Sequence, residues 1–98
     1  QEESERAWVA IAPEIFGQAL HYDHQIGSMV YMVRMQPGSK CPIATSGSPE
    51  ECLVVSGDLS LEGVTLTVGD YYSTPKSVIH SGGSSKTGAV LFVRARDE

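Results

Sequence analysis

PGSKCPIATSGSPEECLVVSGDL, residues 37–59, decides the fold together with GDYYSTPKSVIHSGGS, residues 69–84. In the first stretch Gly38, Glu50 and Gly57 are spaced by twelve and seven residues. In the second, Gly69, Pro75 and His80 are spaced by six and five. Between the glycines lie short runs of β-branched and aromatic residues, such as ECLVVS and YYST, which favour a pleated, half-buried strand. Glycine at each boundary supports tight turns, and Pro42 and Pro75 restrict the strands beside them to edges or ends.

Working outward, the same pattern covers the chain. Ser28–Met35 places Met29, Tyr31, Val33 and Met35 on one face by the two-residue period of a strand. Gln18–Tyr22 reads as its partner across the turn-rich 23–27. Glu51–Ser56 is the strongest strand; Gly57-Asp58 is expected to turn it into Leu59–Leu61. Glu62-Gly63 is a two-residue hairpin turn into Val64–Val68. Tyr71–Ser73 and Ser77–His80 are short strands around Pro75, and Ala89–Arg94 closes the chain. Of Tyr71 and Tyr72, alternation makes one core and one exposed. SGGSSKTG, residues 81–88, reads as a flexible loop. Trp8–Phe16, broken at Pro13, is an apolar leading segment whose Trp8, Ile11, Ile15 and Phe16 pack outside the barrel or against a partner. Residues 1–6 are charged and expected to fray. Eight to ten short strands with no room for crossover helices exclude a parallel sheet and favour a sandwich or barrel.

Ninety-eight residues with 41% hydrophobic and 19% charged side chains make one small globular domain, residues 1–98. The net charge of −5 and the lack of a Lys/Arg cluster argue against nucleic acid as a partner. No apolar run approaches the roughly 18 residues that cross a bilayer, so no membrane role is expected. Cys41 and Cys52 do not form a CxxC zinc spacing and read as reduced thiols, which suits a cytoplasmic location. There is no G-x-S-x-G elbow, P-loop or G-x-G-x-x-G motif.

The spacing of Gly38, Glu50, Gly57, Gly69, Pro75 and His80 resembles the two motifs of the cupin superfamily. This resemblance implies an all-β, double-stranded β-helix (jelly-roll) barrel. Within the superfamily, Trp8, PGSKCP, the paired Glu50-Glu51 and GDYYSTP are most similar to the cupin domains of ChrR-like anti-sigma factors. The motifs also imply a site. In metal-binding cupins, two histidines and a glutamate of the first motif and a histidine of the second hold one divalent ion. Carried over, these positions are Ala44, Ser46, Glu50 and His80. Ala44 has no donor atom, and a neutral Ser46 hydroxyl is a poor ligand for a transition ion.

Two ligands fall short of the three that catalytic metal sites usually need. The leading expectation is therefore a barrel without a cofactor. In it Glu50 and His80 pair with each other, and Ala44, Ser46, Cys52 and Met35 complete the pocket. The alternative is one divalent transition metal (Zn, Fe, Ni or Mn) on Glu50 and His80, completed by His21 or by Cys52. Cys52 shares the inward face of Glu50 if the strand is regular there.

Three functions follow. The first is a non-catalytic module that binds a small molecule or regulates a partner. The second is a dioxygenase-like metalloenzyme with a rebuilt site. The third is a metal-free isomerase using His80 as base and Glu50 as its partner. The scattered Lys40, Lys76, Lys86 and Arg34 do not form a nucleotide-diphosphate site. A homodimer is expected from the apolar Trp8, Val9, Ile11 and Ile15.

Overall fold

The structure, a computed structural model, describes residues 7–40, 44–45, 50–61, 63–74, 79–80 and 83–96. The expectations for residues 1–6, Cys41, Ser46 and Ser77 lie outside these residues. Nine strands run in chain order: β1 (Val9–Ala12), β2 (Ile15–Asp23), β3 (Ser28–Met35), β4 (Ala44–Thr45), β5 (Glu50–Leu61), β6 (Val64–Thr67), β7 (Tyr71–Thr74), β8 (Ile79–His80) and β9 (Ala89–Arg96).

All pairings between these strands are antiparallel. The large sheet has the order β1-β2-β3-β9-β5, with the first half of β5 also paired to β7. The second half of β5 leaves that sheet and pairs with β6. Ser84 then bridges to both Lys40 and Ser60, which builds the opposing layer, and β4 and β8 pair as a separate two-stranded sheet. Strand β5 thus serves both layers, as the jelly roll requires.

The core lies on one face of the large sheet. Ile15, Val33, Met35, Cys52, Val54, Leu91 and Val93 are all buried there, joined by Leu59 from the opposing layer. Their spacing by two along β3, β5 and β9 is the alternation legible in MVYMVRM, ECLVV and AVLFV. Tyr72 packs against this cluster while Tyr71 is exposed, as alternation requires.

Three expectations need correction. Gly57-Asp58 does not end a strand: β5 is continuous from Glu50 to Leu61. Gly57 has φ of +82°, and the register slips between Val54 and Ser56, so a bulge bends the strand from one layer to the next. The leading segment does not lie outside the barrel as one unit. Its turn at Pro13-Glu14 starts β2 at Ile15, which pairs with Met35 and is fully buried. The Arg34 guanidinium then lies 4.6 Å from the Trp8 ring centre and 5.4 Å from that of Phe16. This stacking fastens β1 to its own sheet.

The third correction concerns 81–88. Residues 83–88 are not a free loop; the Asp58 carboxylate holds them. It accepts hydrogen bonds from the Lys86 and Thr87 backbone N–H groups at 3.0 and 2.9 Å. The Thr87 and Ser85 hydroxyls donate to it as well. These donors hold the Asp58 carboxyl down at about 2, with the Thr87 side chain the largest cause.

Candidate functional site

Four residues paired across the large sheet define the open end of the core. Glu50 pairs with Ala95, Ala95 with Met29, and Met29 with Tyr22. One step deeper, Cys52 pairs with Val93 and Val93 with Tyr31. Directly opposed residues of a ladder project to the same side. Glu50 and Cys52, two apart on β5, therefore share the core face, as expected for a regular strand.

An open pocket of about 560 Å³ occupies this end of the face. Met29, Tyr31 and Ala95 line it from the middle of the sheet, and Gly17 and Ala19 from β2. Ile11 and Tyr22 stand at its rim, each largely exposed. Small residues on β2 and β9 leave the space, and the longer Met29 and Tyr31 side chains wall it. Among the described residues the side chains around it include no Lys, Arg, Asp, Glu or His.

Cys52 is a free, buried thiol. Burial pushes its pKa up to about 11; the Tyr72 hydroxyl hydrogen bond pulls partly back, and the nearby Glu50 charge adds to the rise. At neutral pH the sulfur is protonated, so it is not a ready nucleophile.

The β4–β8 ribbon brings two of the motif positions together through its backbone. Ala44 on β4 is the direct partner of His80 on β8. The first-motif position without a donor thus faces the retained second-motif histidine. His21 is exposed, opposite Val30 just past a register slip between Ala19 and His21, and does not join the core row. His24 sits in the turn after β2 with its ring edge-on to Tyr22, 4.6 Å between centroids. Among the described residues no three His, Cys, Asp or Glu side chains converge as a metal would need.

Met35 lies at the far end of the core, 2% exposed, and does not line the cavity. Met32 projects to the opposite face with Phe92. Sequence alone had not singled out Ala19, Ala95 and Gly17. Their signal is small size at positions of strong strand pattern, visible only once the register sets them beside Met29 and Tyr31.

The family description ChrR Cupin-like domain matches residues 1–97. No curated protein sequence matches the chain significantly. Solved structures similar to this chain include an RmlC-like cupin from Shewanella frigidimarina, with TM-score 0.86, 22% identity, and coverage of 100% of this chain and 89% of that one. An acetylacetone dioxygenase from Acinetobacter johnsonii has TM-score 0.79 at 15% identity, covering 91% and 67%. The Rhodobacter sphaeroides complex of SigE with the anti-sigma ChrR has TM-score 0.81 at 14% identity, covering 99% of this chain and 52% of that one. At these identities the likeness is one of fold.

Proposed function

Because the chain belongs to the ChrR cupin-like domain family, we propose that it is a cupin barrel that binds a small uncharged, apolar molecule without a metal and without catalysing its conversion. The observation that carries this is the open pocket of about 560 Å³, within the range of small-molecule sites and walled by Met29, Tyr31, Ala19 and Ala95, with no Lys, Arg, Asp, Glu or His among the described residues of its lining. Among the described residues the one amide side chain of the lining is that of Gln18. Ala44 beside His80 supports the metal-free form, since the position carries no donor. Likeness to the anti-sigma ChrR supports a regulatory setting, in which occupancy of the pocket reports to a partner. The free Cys52 thiol suits a cytoplasmic location. Among the described residues no helix is long and apolar enough to cross a membrane.

The test is a fluorescence titration with N-phenyl-1-naphthylamine, a neutral aromatic probe. Saturable binding by the wild type and its loss in Ala95→Trp, with thermal stability retained, is the expected result. Absence of saturable binding by the wild type contradicts the reading.

The second reading is a metalloenzyme, favoured by the likeness to acetylacetone dioxygenase. It requires ligands besides Glu50 and His80, and metal content decides it. The metal-free isomerase, with His80 as base, requires a substrate turnover that the binding module lacks.

A further inference from the structure

Ile11 stands where β1 loses register with β2. Val9 is opposite Gly17 and Ala10 is opposite Phe16, but Ala12 is opposite Ile15. Ile11 is therefore the extra residue of a β-bulge, a device that re-aims side chains. Ala12 packs against the core. Ile11 leans over Gly17: a Cβ on Gly17 would lie 3.4 Å from Ile11 Cγ2 and 3.7 Å from its Cδ1. Glycine at 17 leaves Ile11 its place on the pocket side of β2.

The pocket has a direction. Its lining follows β2 from Gly17 through Ala19 to Tyr22, with Tyr31 and Met29 beside it on β3. Gly17 is opposite Val33 and Tyr22 opposite Met29, a span of about 13 Å at ~3.3 Å per residue. Gly17 and Ala19 are too small to divide this length, so the floor is a continuous apolar trough. Tyr22 and Met29 mark its outer end. Ile11 stands at the other end, beside the buried Val33 row.

The chain is held on both sides of Ile11. Before it, Trp8 stacks on the Arg34 guanidinium, 4.6 Å from the ring centre. After it, the Gln36 backbone N–H donates to the Glu14 carbonyl at 3.0 Å, and Ile15 is fully buried. With β1 fixed at both ends, the size of the side chain at position 11 decides how far the trough extends. That side chain is 58% exposed, an apolar surface that a molecule lying along β2 would cover.

We infer, on the reading of the pocket as a small-molecule site, that Ile11 sets the length of the ligand, and that the ligand is an elongated, uncharged aliphatic chain lying along β2 with one end against Ile11. Ile11 acts as the end wall, and a smaller or larger residue there moves the wall.

Displacement of bound N-phenyl-1-naphthylamine by straight-chain primary alcohols, from hexanol to dodecanol, tests this on the full chain. The wild type should bind each longer alcohol more tightly up to a cut-off length. Ile11→Ala should raise that cut-off by about two carbons and bind the first alcohol past the wild-type limit about tenfold more tightly. Ile11→Trp should lower it. Because Ile11 is largely exposed, both variants should keep a Tm near that of the wild type, which separates an effect on length from one on folding. A wild type that binds the probe but shows no cut-off, or one that neither variant moves, overturns the role of Ile11 and leaves the small-molecule site standing. A wild type without saturable probe binding overturns both.

Discussion

Ala44 and His80 are direct antiparallel partners on the β4–β8 ribbon. A residue that cannot bind a metal therefore stands beside one that can, on a backbone that still brings the two motif positions together. If the scaffold is intact and only donors are missing, restoring them should restore an ion site. The variant Ala44→His/Ser46→His is expected to purify with, or take up on titration, a near-stoichiometric divalent transition ion, read by elemental analysis. Four donors of the right type would then surround one position, where three suffice. A double variant that folds but stays metal-free would mean that the backbone has drifted from ligand geometry.

Gly57 is the hinge on which β5 crosses between layers. A Cβ there would lie 1.8 Å from the Gly88 carbonyl oxygen, and φ is +82°. Backbone must move to admit it. Gly57→Ala is expected to destabilise the fold by about 3 kcal/mol or more. Gly63 shares the positive φ, at +85°, but a Cβ there meets nothing within 4 Å. Gly63→Ala should cost only the conformational strain of about 1–2 kcal/mol. Urea denaturation of both variants separates steric from conformational cost.

Asp58 makes stability fall at acid pH. Its carboxyl is held at about 2 in the fold against an ordinary 3.8, through the Thr87, Lys86 and Ser85 donors. A depressed folded value means that the contribution is fully present above the unfolded value and is lost as pH falls through about 4 to about 2. Asp58→Asn should lower Tm at neutral pH, and its deficit relative to wild type should shrink across that window. A deficit that is constant with pH would contradict the assignment. Amide exchange should also speed up at Lys86 and Thr87 in the variant.

Cys52 should be inert. With its thiol pushed up to about 11 by burial, it stays protonated through neutral pH and is 3% exposed. In a Cys41→Ser background, Ellman's reagent at neutral pH should react with Cys52 only on the timescale of unfolding. The linkage sign is opposite to that of Asp58. Its contribution is present below the ordinary thiol value of 9.0 and is lost as pH rises toward about 11. Cys52→Ala should therefore lessen the alkaline loss of Tm.

The parts of this account legible in the sequence are those written in short-range patterns. Alternation in 28–35 and 50–54 sets the core face, and the glycine spacing around Glu50 and His80 points to the jelly roll. What the sequence hides is set by pairing at a distance. Asp58 looks like a turn residue, but its carboxylate acts on Lys86 and Thr87, which lie 28 and 29 positions away. Ile15 looks like part of an apolar arm until its register with Met35 buries it. Ala19 and Ala95 carry no chemical signal at all; they matter because neighbouring strands leave room above them. His21 is a plausible ligand by type, and a single slip between Ala19 and His21 leaves it in solvent.

A barrel that keeps the cupin scaffold and binds its ligand without an ion should contain no metal as purified. Elemental analysis of protein purified without chelator or affinity tag, beside Glu50→Ala/His80→Ala, tests it most directly. No stoichiometric transition metal is expected in either protein, and Tm should not move with added zinc, iron, nickel or manganese. A near-stoichiometric ion in the wild type that disappears in the double variant would contradict it.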